Sequence, residues 1–361
     1  MGFGKTSYAN GLYKNMKYPT ISVIIPTFNS SVTIDKCLRS VRTQDYPQDS
    51  IEIVIVDGGS KDNTKEIVSE YKVKLISIDP KKQNVEYNKA IGIQKSKGKL
   101  LLMIDHDNIL PNNNLLKEMI QPFLDHKELV GVETLRYGYD RKNTLLDRYV
   151  ALFGVADPLA FYIGKADRVS FIYEGYYKKY HPEDYGNYYL VHFTNNNIPT
   201  IGANGFMIRK KILIENANAS PATFFPIDVN VDLINKGFNT YAFVKDSIIH
   251  LTGHGNILDY LKRRMLFMRQ YYLSEESISM RKLRRYSVYE KKDFWRLLFF
   301  ILISLTLIVP LIDSIRGYRK IHDIAWFINP ILCFGFVIIY GYVMIEHETK
   351  ILSKRFIKAD D

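Results

Sequence analysis

The sequence predicts an α/β domain built on a doubly wound, mostly parallel sheet with helices on both faces, followed by a C-terminal transmembrane helical hairpin. Three observations carry this expectation. From residue 21 to about 104, short apolar runs alternate with helical segments, the order a parallel sheet requires. The fourth run, Lys99-Leu100-Leu101-Leu102-Met103-Ile104, stops abruptly at Asp105-His106-Asp107-Asn108. Near the C-terminus two long runs, Leu297 to Ile312 and Ile324 to Ile345, carry no charge.

Ile21 to Pro26 reads as the first buried strand, stopped by its proline. Thr27-Phe28-Asn29-Ser30 follows as a loop, and Ser31 is placed to cap a helix carrying Ile34, Leu38 and Val41. Ile51 to Val56 is a second strand that opens into Asp57-Gly58-Gly59-Ser60-Lys61-Asp62-Asn63-Thr64. The two glycines allow a tight turn there, and Asn63 or Thr64 caps a helix running to about Tyr71. Val73 to Ile78 gives a third strand, Val85 to Lys95 a helix, and Lys99 to Ile104 the fourth strand. Residues i and i+2 of a strand point the same way, so Asp105 and Asp107 face one site if strand geometry persists. Two carboxylates at a strand's carboxyl end suit a divalent cation and the diphosphate it carries. A solvated turn closing the strand is the plainer alternative.

From Leu135 to Tyr189 the pattern blurs and tyrosines crowd the chain. Within this insert, Leu145 to Ile163 reads as an interfacial helix or acceptor groove, or else as aromatic packing against the sheet. Regular structure returns with a loop and strand at Ile201 to Lys210 and a helix. Phe225-Pro226-Ile227-Asp228 opens another helix through Lys236, closed by Gly237. Thr240 to Val244 is a strand, and Ile248-Ile249-His250 ends a further one. Leu258 to Tyr272 is a basic amphipathic helix with Lys262, Arg263, Arg264 and Arg269 among Leu and Met.

The expected division is a basic tail at 1–19, the α/β domain at 20–275 with the Tyr-rich insert at about 136–190, and a basic juxtamembrane segment at 276–296. Two membrane helices at 297–346 and a basic cytoplasmic tail at 347–361 complete it. The chain has 49 Lys+Arg against 38 Asp+Glu, a net charge of +11, and its basic residues cluster beside apolar segments. With no nucleic-acid motif present, this charge suits a membrane surface rather than nucleic acid. Lys and Arg on the flanks outnumber those in the loop Asp313 to Asp323, so the positive-inside rule places both ends, and the α/β domain, in the cytoplasm. The polar N-terminus has no signal-peptide core. Cys37 and Cys333 support neither a disulfide framework nor a cysteine metal site.

Pro26-Thr27-Phe28-Asn29, then Asp57 to Thr64, then Gly98 to Asn108 resemble in order and spacing the inverting family 2 glycosyltransferases. The resemblance is close over residues 20 to about 125 and looser to about 270. It implies the GT-A fold and transfer of a sugar from a nucleotide-activated donor, a UDP- or GDP-sugar. It also implies site roles. Pro26, Thr27 and Asn29 line the nucleoside pocket, Asp57 contacts the base, and Asp105 lies near the ribose and sugar. Asn88 belongs to the family's Arg-Asn pair at the diphosphate. Asp107 holds Mg²⁺ or Mn²⁺ against the diphosphate. Asp228 stands where the catalytic base usually lies, with a helix cap as its other reading. His250 is a further metal or diphosphate ligand, or else a core or surface histidine.

The chain departs from the family in places. Tyr87 precedes Asn88 where Arg is usual, so Lys89 or the Lys262-Arg263-Arg264 cluster would have to supply the charge. Ile227-Asp228 replaces the common Glu-Asp, with Asp232 one turn further on. The Gln-X-X-Arg-Trp signature of processive synthases is absent. The expectation is therefore a membrane-anchored, metal-assisted transferase adding one sugar per turnover to a lipid-linked acceptor, a polyprenyl phosphate or a lipid-linked glycan. Its rivals are a transferase of polysaccharide or cell-surface glycan assembly with another acceptor, a nucleotidyltransferase, and an inactive membrane scaffold that binds nucleotide-sugar. A nucleotidyltransferase typically carries a Gly-rich, Arg/Lys-containing loop after its first strand, which Pro26-Thr27-Phe28-Asn29 is not.

Overall fold

Ile21–Thr27 (β1) is buried at every position, as a strand covered by helices on both faces must be. It pairs in parallel with Ile51–Asp57 (β2) on one side and Leu100–Met103 (β4) on the other. Lys74–Ser77 (β3) adds a parallel, largely exposed edge strand beyond β2. Helices Ile34–Arg42 (α1), Thr64–Ser69 (α2) and Val85–Lys95 (α3) connect these strands. In α1, Ile34, Cys37, Leu38 and Val41 recur at helical spacing and are all buried. Its cap position is Thr33 rather than Ser31. The computed structural model describes residues 18–173, 180–194, 197–202, 204–253, 255–271, 273 and 291–359. The basic tail up to residue 17, the basic segment 274–290, and Tyr176 and Tyr177 of the insert lie outside these, as do the side chains beyond residue 350.

Beyond β4 the sheet stops being parallel, which corrects the expectation of a mostly parallel sheet. The further strands are Asn108–Ile109 (β5), Gly131–Tyr137 (β6), Glu183–Asp184 (β7), Tyr188–His192 (β8), Phe206–Arg209 (β9) and Thr240–His250 (β10). The order is β3-β2-β1-β4-β9-β6-β10-β8-β7, with β5 against β10. Among the described strands four pairings are parallel and five antiparallel. The reversal has a local cause. β9 enters between β4 and β6 from a loop at their carboxyl edge, with no crossover helix to turn it around, so it runs against both. β10 is one strand with a register shift between Val244 and Ser247, where two strands were expected.

The apolar tract 145–163 divides into Leu145–Phe153 (α5) and Pro158–Tyr162 (α6), preceded in the chain by Leu115–Asp125 (α4). Gly154, at φ +71°, ends α5 in the left-handed conformation that glycine adopts without strain. Lys210–Asn216 (α7), Pro226–Asn235 (α8) and Ile257–Tyr271 (α9) follow, then Lys291–Thr306 (α10), Ile308–Lys320 (α11) and Ile328–Ala359 (α12).

The first apolar run does not form one straight helix. α10 and α11 meet at Leu307, which has φ +59°, and their axes differ by 79°. Pro310 has no N–H to bond the carbonyl one turn earlier, so the ladder breaks at this point. Among the described residues one stretch, Ile324–Lys350, is long and apolar enough to cross a membrane; the bent pair would count only as a broken span. One apolar C-terminal helix is long enough to span; the second span of the expected hairpin is not shown.

The tyrosine-rich insert is the dock for these C-terminal helices. Tyr173 donates to Asp313 at 2.6 Å, Tyr162 to the same carboxylate at 3.2 Å, and Tyr139 to Asp323 at 2.6 Å. Arg148 lies 3.1 Å from Asp323, and Lys320 donates to the Ile172 carbonyl at 2.9 Å. Trp326 is fully buried against Phe153, ring centres 5.0 Å apart, and against Gly317, where a Cβ would come within 2.4 Å of the indole. Losing such a buried indole costs about 3–5 kcal/mol. The α/β domain and the C-terminal helices thus share one interface.

Candidate active site

Four loops meet at the carboxyl edge of the parallel strands, where open α/β sheets bind ligands. The first two are laced together by the chain itself. The Asn29 amide donates to Ser60 Oγ at 2.9 Å, and Asn29 Oδ1 accepts from the Lys61 amide at 2.9 Å. The Ser30 amide donates to Thr64 Oγ1 at 2.7 Å and the Ser31 amide to Asp62 at 3.0 Å. Asn29 holds a φ of +50°, which places these bonds. Burial opposes the charge on Asp62, but the Thr64 and Ser31 donors prevail and hold its carboxyl at about 2.

Asp57, which ends β2, has no exposed surface. Its Oδ2 accepts from the Gly59 and Ser60 amides, each at 3.0 Å. Its Oδ1 accepts from the Ser60 hydroxyl and, at 3.2 Å, from Thr27, which follows the buried Pro26. Lys65 lies 3.6 Å away. A carboxylate offers about four acceptor directions, and this one has them filled by three donors of its own loop and by Thr27 at the end of β1.

The loop after β4 is built differently. Asp105 lies 3.0 Å from Lys89, a lysine in α3 whose side chain is almost fully buried. Asn108 braces the turn, its side-chain oxygen accepting from the Asp105 amide at 2.8 Å. Asp107 Oδ2 lies 3.6 Å from His250 Nε2, at the end of β10, while Asp107 Oδ1 is buried and has no hydrogen-bond partner among the described residues. Burial pushes the Asp107 carboxyl up, but His250, with His106 and Arg263 behind it, holds it below the usual carboxylate range. Burial works against charge on His250, and Asp107 outweighs it, so the imidazole is raised. Nearby, Asn88 Oδ1 and His250 Nδ1 are likewise buried without partners. Native interiors satisfy almost all such atoms, so their concentration at one edge makes it the candidate ligand-binding edge.

The fourth loop leads into β9. The Gly205 amide donates to the Met103 carbonyl at 2.9 Å, placing the loop beside the end of β4. Gly202, at φ +102°, packs so tightly that a Cβ would meet Asn230 of α8 at 2.3 Å and the Pro226 carbonyl at 2.9 Å. Asp228 lies half-buried in the first turn of α8, the turn whose Pro226 carbonyl packs against Gly202.

Sequence reasoning missed the layer beneath. Glu133 Oε1 accepts from the Gly202 amide at 3.1 Å, and Arg168 lies 3.0 Å from Glu133 Oε2. Both side chains are fully buried, and Arg168 also donates to the Asn204 carbonyl. Tyr137 stacks obliquely on His250, ring centres 5.5 Å apart, and donates to Asp167. Asp147 accepts from Thr252 N and Oγ1 at 2.6 and 2.8 Å, fixing the backbone just past His250. The only sequence signal was charge standing in an apolar insert. A separate cavity of about 360 Å³, lined by Arg42, Glu52, Lys72 and Lys97, lies at the amino ends of β2 and β3, away from all these groups.

A mixed α/β sheet with this edge is the architecture of the GT-A nucleotide-sugar enzymes. The chain belongs to glycosyl transferase family 2, whose model matches residues 22–216, more than half of its length. It is similar to glycosyltransferase AglE of Haloferax volcanii, with 32% identity over 136 residues, 36% of this chain and 44% of that protein. It is also similar to the GalNAc(5)-diNAcBac-PP-undecaprenol β-1,3-glucosyltransferase of Campylobacter jejuni, with 32% identity over 97 residues, 26% of this chain and 31% of that protein. The matches therefore span less than half the length of these curated relatives. Among solved structures, a mannosyltransferase of Pyrobaculum calidifontis in complex with GDP-Man and Mn²⁺ aligns with 13% identity over 91% of this chain and 88% of that one, at a TM-score of 0.49.

Proposed function

We propose that the protein transfers one sugar, with inversion, from a UDP- or GDP-sugar to a lipid-linked acceptor, a polyprenyl phosphate or a lipid-linked glycan. The observation that carries this is the set of partnerless buried atoms on Asn88, Asp107 and His250 at the carboxyl edge. Each costs about 1–3 kcal/mol when left unpaired; the Asn88 and Asp107 oxygens are acceptors that call for a cation or an N–H or O–H donor, and family membership makes a nucleotide-sugar with its cation the fitting partner. In this reading residues 20–275 are the catalytic unit. Pro26, Thr27, Asn29, Asp57 and Asn88 form the nucleoside and diphosphate pocket, and Asp105, held by Lys89, faces the ribose and sugar.

Among the described residues no three His, Cys, Asp or Glu side chains gather into a metal cage. Mg²⁺ needs none, because it takes one or two carboxylates and keeps substrate phosphates as its remaining ligands. Asp107, with its unused Oδ1, fits that role, and a neutral His250 would add an imidazole ligand suited to Mn²⁺ rather than Mg²⁺. The ion, Mg²⁺ or Mn²⁺, would supply Lewis-acid neutralisation of the leaving diphosphate. Asp228 takes the proton of an acceptor hydroxyl. Toward an acceptor phosphate, which is already anionic, it orients instead. Acceptor delivery from a membrane is supported by the apolar C-terminal helices and by the undecaprenol-linked substrate in the Campylobacter relative's name. The basic flanks suit the anionic cytoplasmic leaflet, which supports a cytoplasmic catalytic unit.

The test is nucleotide release from a panel of UDP- and GDP-sugars by purified protein in a membrane mimic, with Mn²⁺ or EDTA and with or without polyprenyl phosphate or a lipid-linked glycan. Turnover should need the metal and rise with the lipid. With a hydroxyl acceptor, Asp228→Asn should lower kcat about 10²- to 10⁴-fold. Nucleotide binding without turnover for every donor and acceptor would sink the transferase reading in favour of a scaffold.

A further inference from the structure

We propose that the C-terminal helices seat the protein in a single leaflet of an anionic bilayer, lying in its plane, and do not cross it. This rests on the membrane part of the proposed function and concerns how that membrane is met. The first observation is the tethering of α12. Asn329 accepts from Tyr149 at 3.4 Å and donates to Tyr162 at 2.8 Å; Phe336 packs on Tyr260 of α9, and Tyr340 donates to Asp157 at 2.5 Å. Glu346 lies 2.7 Å from Arg269 of α9. From Asn329 to Glu346 the helix is therefore held against the catalytic unit for roughly 25 Å, close to the thickness of a bilayer core. A perpendicular α12 would draw α9, with Lys262 and Arg263 exposed on it, into hydrocarbon. Each charge there costs about 2.5–3.5 kcal/mol. Lying flat avoids that cost.

The second observation is the segment between the two apolar runs. In a two-span hairpin it would face the opposite side of the membrane, yet Asp313, Lys320 and Asp323 are bonded to Tyr139, Tyr162, Ile172 and Tyr173 of the catalytic unit. The third is the distribution of exposed apolar surface. Trp295, Leu302, Ile308, Ile324, Ile331 and Ile338 are each at least 55% exposed, while Ile303 and Phe336 on the same helices are buried. Such one-sided stripes belong to interfacial helices. The fourth is charge. Arg316, Arg319 and Lys320 precede α12, and Lys350, Lys354, Arg355 and Lys358 lie in its last turns. A single crossing would separate these groups, whereas a flat helix leaves both beside anionic headgroups.

The experiment uses the full-length protein in sealed inside-out membrane vesicles and a membrane-impermeant maleimide. Cys37 and Cys333 are buried, and Arg319→Cys and Thr349→Cys place one exposed thiol at each end of the apolar stretch. Both variants should label to completion before detergent is added. Labelling of Thr349→Cys only after detergent would establish a span and overturn the single-leaflet seat while leaving membrane binding intact. Recovery of the protein away from the vesicles would instead overturn the membrane reading itself.

Discussion

β2 and β4 both end at the same edge of the sheet, and each hands over to an aspartate-bearing loop, yet the chain treats the two acids oppositely. Asp57 is enclosed, with two backbone amides and two hydroxyls on its oxygens. Asp107 is less enclosed, its side chain 14% exposed, and its buried Oδ1 has no hydrogen-bond partner among the described residues. The first loop is complete as folded. The second keeps a buried acceptor open among the described residues. What separates the two acids is the state of their lone pairs, filled by the fold at Asp57 and open at Asp107 among the described residues.

The same substitution at both positions sharpens this contrast. Asp107→Asn should lower kcat about 10²- to 10³-fold and leave the thermal midpoint nearly unchanged, measured by nucleotide release and calorimetry on one preparation. Asp57→Asn turns an amide nitrogen toward donors that have lost their acceptor and should cost about 1–3 kcal/mol of stability, read as a lowered denaturant midpoint. Equal losses of stability in the two variants would break the comparison.

A smaller effect tests the layer that holds the open loop in place. Burial raises the Glu133 carboxyl from 4.5 to about 7, against the pull of Arg168. The folded state thus binds this proton more tightly than the unfolded chain does. Its contribution to stability is complete below about 4.5 and is withdrawn as pH rises through about 7. Unfolding free energy should fall between pH 5 and pH 8, and Glu133→Gln should flatten that slope. A slope unchanged in the variant would place the titration elsewhere.

The region best read from sequence was 21–104. Its strands are buried on both faces and so appear as unbroken apolar runs, and its polar loops fall where the sheet requires them. The reversal at β9 left no such mark, because Phe206-Met207-Ile208 is equally apolar in either direction. The pairing of Asp107 with His250 depends on β5 meeting β10, a long-range contact that local pattern does not encode. The tyrosines of the insert advertised an aromatic surface, but their hydroxyl partners Asp313, Asp323 and Asn329 lie far along the chain. The bend in the apolar run from Leu297 was hidden for a different reason. Hydropathy sums composition and is blind to the dihedral at Leu307 that turns the helix aside.

The tyrosine bonds to Asp313 and Asp323 also bear on kinetics. They tie the apolar helices to the catalytic unit, so in the proposed seat the height of the active site above the headgroups would be set by the fold itself. A substrate confined to that leaflet is then encountered by lateral diffusion in two dimensions. The governing concentration becomes the mole fraction of acceptor among lipids, and diluting the leaflet with inert lipid slows turnover even when the bulk amount of acceptor is held constant.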